Sequence, residues 1–154
     1  MALYEHVFTP FRFGRVETKN RVATPPMLSC LATPDGFVTR EMIDFYQAFA
    51  KGGAGIVNIG DSAVDDEWGK GHFMQLSLGS DAVIGGLSTL VEALQKWGAL
   101  ASVEINHTGM LGDPKVLGGD PIGPSSMDQG LIDRVVDNFA SACERCLRAG
   151  LQMV

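Results

Sequence analysis

Glu104 and His107, in the stretch "VEINHTGM" (103–110), are of residue types that do chemistry. A Glu-x-x-His pair ligates metal when it lies on a helix, because i and i+3 share a face. The flanks here alternate apolar and polar residues as a strand does, which sends residue 104 to one side and 107 to the other. The spacing therefore disfavours a shared ion. If Val103 and Ile105 pack against helices, Glu104 and Asn106 face the opposite side, toward a functional mouth. A buried carboxylate there needs a donor partner or must be neutral. A polar strand end solvated by its loop accounts for the same residues equally well.

"ATPPML" (23–28) is the second candidate. Proline donates nothing to a strand ladder and is confined to edges, strand starts and bulges. Pro25 and Pro26 followed by Met27 and Leu28 stop a strand and leave main-chain groups available to a heteroaromatic edge. A plain strand terminator is the simpler reading. "CERC" (143–146) invites a redox or zinc reading, but a redox pair usually opens a helix. This one lies near a helix end, on the apolar stripe, where core packing explains it. The glycines of "KGGAGIVNIG" precede a strand, whereas a dinucleotide fingerprint needs strand, then glycine loop, then helix. His6 and His72 read as surface residues. Trp68 and Phe73 lie in a loop, where they either cap a pocket or pack the loop itself.

These residues need elements to position them. Four short segments read as strands: 21–27, 55–60, 100–106 and 151–154. Three segments of helical period lie between them. The first starts at Thr39 as N-cap, carries Met42, Ile43, Tyr46, Phe49 and Ala50 on one stripe, and stops at Gly52-Gly53. The second opens after Ser80-Asp81 and presents Leu87, Leu90, Val91, Leu94 and Trp97 before Gly98. The third begins at Asp128, presents a stripe including Ile132, Val136, Phe139, Cys143, Cys146 and Leu147, and closes at Gly150. Strands alternating with such helices imply parallel βαβ units. Long Gly-, Pro- and Asp-rich loops follow the strands, and very short ones precede them. That asymmetry is expected of a (β/α)8 barrel with its site at the C-terminal strand ends. Residues 11–18 read as a small hairpin with Gly14-Arg15 as the turn, placed to plug the bottom of the barrel.

A closed barrel takes about 250 residues, and this sequence of 154 residues stops inside its fourth strand. The expectation is therefore an N-terminal part of a larger barrel, with residues 1–20 as hairpin or lid and 21–154 as strands 1–4 with three helices. A formal charge of −6 with scattered Lys and Arg argues against nucleic acid and membrane-surface partners. No stretch has the roughly 20 apolar residues of a membrane span, and the N-terminus lacks signal-peptide character. Three cysteines without a disulfide framework fit a reducing cytoplasm.

In order and spacing, "LYEHVFTPFRFGRVETKNRVATPPM", "YQAFAKGGAGIVNIGDSAV", "VEINHTG", "IGPSSM" and "IDRVVDNFASACERCLRAG" resemble the old yellow enzyme family of FMN-dependent NAD(P)H:flavin oxidoreductases. The branch of 2-enoate, 2,4-dienoyl-CoA and bile-acid NADH:flavin oxidoreductases is the most similar. The resemblance covers nearly the whole chain but only the N-terminal half of a family barrel. It implies an enzyme acting on CH–CH groups, with hydride moving between NAD(P)H, FMN and an activated C=C bond of an enone or enoyl substrate. By resemblance, the main chain of Pro25, Pro26, Met27 and Leu28 meets the flavin near N5 and O4. Gly60 and Asp61 fall at the small-residue site ending the second strand, and Glu104 falls where a Gln commonly meets the pyrimidine edge.

Three residues depart from that pattern. Leu28 stands in place of Thr or Cys, Glu104 in place of Gln, and Met110 where Arg is frequent. An ionised Glu104 accepts from flavin N3–H but cannot donate to O2, and it opposes an anionic reduced flavin. The substrate clamp, proton donor and phosphate site, and with them the catalytic residues, are expected beyond Val154. A 4Fe–4S cluster and FAD are implied only for a longer parent. The 154-residue piece alone is expected to be inactive, with homo-oligomerisation open and no metal site. The alternatives are a non-catalytic half-barrel acting by association with another chain, and a barrel enzyme of other chemistry.

Overall fold

The computed structural model describes residues 4–154. Helix α1 (Arg40–Lys51) begins where the Thr39 hydroxyl accepts the Met42 N–H at 3.1 Å, satisfying one of the orphan donors of a helix start. It buries Met42, Tyr46 and Ala50, with Ile43 and Phe49 half-buried on the same stripe. The helix closes at Gly52, and Gly53 at φ +103° turns the chain into strand β3 (Ile56–Ala63). The hairpin strands that precede it are β1 (Phe11–Phe13) and β2 (Val16–Thr18).

A 3-10 turn over Asp81–Val83 leads into α2 (Ile84–Gln95), which buries Leu87, Leu90, Val91 and Leu94. Gly98 at φ +70° then hands the chain to β4 (Leu100–Asn106). β3 and β4 pair in parallel from Ile56–Leu100 to Ile59–Val103. Helices α1 and α2 pack on each other and on these strands. Val57, Ile59, Ala101 and Val103 meet the helix stripes to form the core. Each fully buried Leu there contributes about 1.5–3 kcal/mol of transfer free energy.

The flanking strands are less regular than their sequences predict. Segment 21–27 is reduced to two isolated parallel bridges, Ala23–Ile56 and Met27–Ile59, with a slip of one residue between them. Pro25 and Pro26 bring no N–H to the ladder, so side chains take over. Thr24 Oγ1 accepts the Asn58 N–H at 3.0 Å, and the Asn58 amide donates to the Thr24 carbonyl. Segment 151–154 is likewise reduced to the bridge Ser102–Met153, with Gln152 Oε1 accepting the Ala101 N–H at 2.9 Å. The four segments nevertheless lie side by side and parallel, in chain order.

Helix α4 (Gln129–Arg148) starts where Asp128 accepts the Leu131 N–H at 2.8 Å. Its stripe is only partly used, which corrects the sequence expectation. Ala142 and Cys146 are buried against α2 and β4, while Ile132, Val136 and Leu147 remain exposed. Trp97 is exposed too, with Lys51 Nζ 5.6 Å from its ring centroid. A short helix that the periodicity does not foresee, α3 (Pro114–Leu117), has Asp113 as its cap, Pro114 at its first turn and left-handed Gly118 at its end.

In the hairpin, Phe13 pairs with Val16 around Gly14-Arg15, and the Phe11 and Phe13 rings stack on one face. The exit from the hairpin docks where strands begin. Asn20 donates to the Gly53 carbonyl at 2.8 Å and Lys19 to that of Trp97 at 2.6 Å. Among the described residues, no helix is long and apolar enough to cross a membrane.

Candidate functional site

The C-terminal ends of the parallel segments are joined by polar side chains rather than by a regular ladder. Tyr46 of α1 is 1% exposed. Its hydroxyl donates to the Met27 carbonyl at 2.9 Å and accepts the Gly60 N–H at 3.2 Å. Gly60 is required by contact, since a Cβ there would lie 2.1 Å from the Met27 nitrogen. Pro25, Pro26 and Met27 are exposed beside this junction, and Leu28 is half-buried.

One residue further, the β3–β4 register breaks between Ile59 and Ser62 in a bulge. Asp61 occupies it at φ +47°, a region that is strained for a non-glycine residue. Its N–H donates to Glu104 Oε2 at 3.0 Å. Its carboxylate accepts from the Asn106 amide and, at 2.9 Å, from Gln75 Nε2, which also reaches the Asp61 carbonyl at 2.8 Å. Gln75, 1% exposed, thereby locks the bulge. Its Oε1 also accepts the N–H groups of Gly71 and His72 from the following loop.

Glu104 and Asn106 share the face opposite Val103, as alternation requires. Glu104 is exposed, and its second carboxylate oxygen has no hydrogen-bond partner among the described residues. Met27, Gly60, Asp61 and Glu104 are thus brought together, with Pro25, Pro26 and Leu28 along the same edge. No ion pair to Asp61 or Glu104 occurs among the described residues.

His107 turns away from Glu104, as the strand geometry demands. Its Nδ1 accepts the Gly109 N–H at 3.0 Å, so the neutral ring carries its proton on Nε2. That nitrogen lies 3.2 Å from Asp65 Oδ2. The nitrogen has no partner in hydrogen-bond geometry, and its contact with Asp65 is electrostatic.

Asp65 was not singled out by the sequence, yet it organises both loops. Oδ1 accepts the N–H groups of Glu67, Trp68 and Gly69 at 2.7–3.0 Å, and Oδ2 accepts from Asn138 of α4. Burial raises its carboxyl pKa, but His107 and the Trp68 and Glu67 N–H groups outweigh burial. They hold it well below the usual carboxylate range. An Asp ahead of a loop turn, able to accept main-chain N–H groups two to four residues on, was the available signal.

Trp68 is half-buried under the Arg134 guanidinium, 4.3 Å from its ring centroid, while Phe73 is exposed. His107 also borders an open groove of about 400 Å³, lined by Met110, Ile122, Met127, Val135 and Phe139. Burial, with a smaller contribution from Cys143, pushes the Cys146 thiol up to about 12, which suits a packed core cysteine and opposes thiolate chemistry. Among the described residues, no group of three His, Cys, Asp or Glu side chains could hold a metal ion.

A family model described as NADH:flavin oxidoreductase / NADH oxidase matches residues 6–154. An NADH oxidase from Thermoanaerobacter brockii is 35% identical over 126 residues, which make up 81% of this chain and 19% of the relative. An NADH:acrylate oxidoreductase from Vibrio harveyi is 32% identical over 153 residues, covering 90% of this chain and 15% of the relative. The solved old yellow enzyme homologue from Zymomonas mobilis superposes with a TM-score of 0.86 at 24% identity, over 94% of this chain and 46% of its own. The chain therefore spans less than a fifth of these two curated relatives. Its parallel strands and helices form part of a (β/α)8 barrel.

Proposed function

This chain belongs to the NADH:flavin oxidoreductase / NADH oxidase family, and from that premise we propose that its strand ends form one wall of an FMN site. The wall comprises the main chain of Pro25, Pro26, Met27 and Leu28, the Gly60-Asp61 bulge, and Glu104. The single observation that carries this reading is the convergence of the Met27–Tyr46–Gly60 and Asp61–Glu104 contacts at one end of the parallel strands. Ligand sites of such barrels lie at that end.

One acceptor of the wall matches the ring. The pyrimidine edge of a flavin presents one N–H between two carbonyl oxygens. Glu104 offers it a carboxylate oxygen without a partner, held in place because the other oxygen is tied to the Asp61 N–H. Exposed Met27 and the prolines offer an apolar, rigid border with no side-chain charge. Gln75 and Asn106 restrain Asp61 so that the bulge keeps its shape.

When bound, FMN supplies hydride transfer between NAD(P)H and an activated C=C bond. The residues described here orient the ring and set its electrostatic environment. In the intact protein the substrate is a small enone or enoyl compound, and residues outside the chain complete the pocket and supply the proton. Fumarate and acrylate oxidoreductases among the relatives support a substrate with an activated C=C bond. Of residues 1–20, the first three lie outside the described residues and the β1–β2 hairpin serves as hairpin or lid, while 21–154 serve as the first part of an FMN-binding barrel. Three free thiols are in keeping with a cytoplasmic setting.

Titration of FMN into the purified chain tests the reading through quenching of flavin fluorescence. Saturable quenching that weakens in Glu104→Ala is the expected result. Absence of binding both by this chain and by a version extended to full barrel length would remove the flavin assignment.

A further inference from the structure

We propose that Tyr46 is a positioning residue, whose hydroxyl, inserted between Gly60 N–H and the Met27 carbonyl, sets the main chain of residues 26–28 that faces the cofactor. The inference rests on the flavin-wall reading and adds to it a residue of the helix layer.

In a continuing parallel ladder, alternate β3 residues direct their N–H groups at the neighbouring segment. Ile56 does so, donating to the Val22 carbonyl and accepting from Thr24 N–H. Two residues on, the Asn58 N–H goes to Thr24 Oγ1. At Gly60 the natural acceptor is the Met27 carbonyl, given the bridge Met27–Ile59. The Tyr46 hydroxyl stands between the two and bonds both. It replaces a ladder bond at the point where the register has slipped and the prolines have removed donors.

The hydroxyl is delivered by a rigid arm. The Tyr46 ring is 1% exposed, Phe45 packs edge-on at 5.1 Å between centroids, and α1 is anchored by Thr39. Gly60 has no Cβ, so the Met27 main chain crosses directly over it and its height is set by this one oxygen. Burial raises the Tyr46 pKa above its ordinary value, which keeps the group a donor to the carbonyl. A Phe at position 46 keeps the packing and deletes the bridge. Gly60 and Met27 must then pair directly or lose their partners, and either outcome moves the 26–28 main chain.

The test compares Tyr46→Phe with Met42→Ala, a packing lesion on the same buried face of α1. In Y46F the amide resonances of Gly60 and Leu28 are expected to shift in the cofactor-free chain. FMN affinity should fall about tenfold, the weight of one buried hydrogen bond, and the visible band of bound flavin should move. M42A should lower the melting temperature while leaving affinity and band position unchanged. Unshifted Gly60 and Leu28 amides in Y46F would overturn the proposal, as would an M42A variant that alters flavin binding as much as Y46F does. If the wild-type protein binds no FMN, the flavin wall fails. The amide shifts then decide by themselves whether Tyr46 sets this main chain.

Discussion

The helix-packed layer and the strand ends of this molecule are built by different forces. Between β3, β4, α1 and α2, buried aliphatic side chains such as Val57, Ile59, Leu87, Leu90 and Leu94 fill the space. A few ångströms away, at the strand ends, the Tyr46, Gln75 and Glu104 side chains replace packing with specific hydrogen bonds to main chain. The first region supplies stability that tolerates small errors of position. The second uses single atoms to fix where the main chain runs, at the cost of a left-handed aspartate and an interrupted ladder.

Substitutions can break this contrast. Leu90→Ala, in the fully buried α2 stripe, should lose about 2–5 kcal/mol in urea unfolding through lost transfer energy and the cavity left behind. Unchanged stability would mean that the layer is not the main source of folding energy. Gly60→Ala should cost about 3 kcal/mol or more, because its new methyl would lie against the Met27 main chain and force it aside. Its effect on FMN binding should exceed that of L90A at matched stability. The reverse ranking would abolish the distinction between the two regions.

Asp65→Asn sharpens the picture at the loops. Oδ1 would still serve the three N–H groups, but the new NH2 would face the His107 Nε2–H and the Asn138 amide, donor against donor. A loss of about 1–3 kcal/mol at neutral pH is expected. The Asp65 carboxyl is held below its unfolded-state value. Its ionised form therefore contributes stability that is complete above the unfolded pKa of about 4 and is lost as pH falls through the folded value. Acid unfolding of the wild type should carry this slope and D65N should lack it. Identical acid profiles would show that the carboxylate does not hold the loops together.

Asp128→Ala removes the α4 cap and should cost about 1 kcal/mol, measurable as a shift in the urea midpoint. Glu104→Gln should have the smallest effect on folding, because Glu104 is exposed and a Gln oxygen can still accept the Asp61 N–H. In FMN-loaded protein it should raise the flavin reduction potential, since a negative charge near the ring opposes an anionic reduced form. A potential that stays the same or falls would place Glu104 away from the ring.

Much of the helix layer was legible from local signals. Thr39 and Asp128 cap their helices, Gly53, Gly98 and Gly150 turn the chain at positive φ after them, and the Met42–Tyr46–Ala50 and Leu87–Leu90–Leu94 stripes are buried. The site was legible only as a neighbourhood. Tyr46 read as one more member of an apolar stripe, because periodicity registers its ring and says nothing about where its hydroxyl ends. Asp65 read as one more acidic loop residue. Segment 21–27 read as a strand stopped by its prolines, whereas even before them it holds only an isolated bridge, with a second at Met27 and side-chain substitutes between. The α4 stripe predicted more burial than α2 and β4 provide, since an amphipathic pattern states which face is apolar and not what covers it.

The sequence by itself determined the alternation of strand and helix and the caps and stops, which depend on residues within a few positions of each other. Residues 25–28, 60–61 and 104 were grouped by the family resemblance and not by local spacing. Only the tertiary structure decided that Tyr46 bridges Met27 to Gly60, that Asp61 reaches Glu104, and that Asp65 gathers His107 and Asn138. Those bonds join residues far apart in the chain. A hydrogen bond depends on ångström-scale distance and angle, which local residue spacing does not encode.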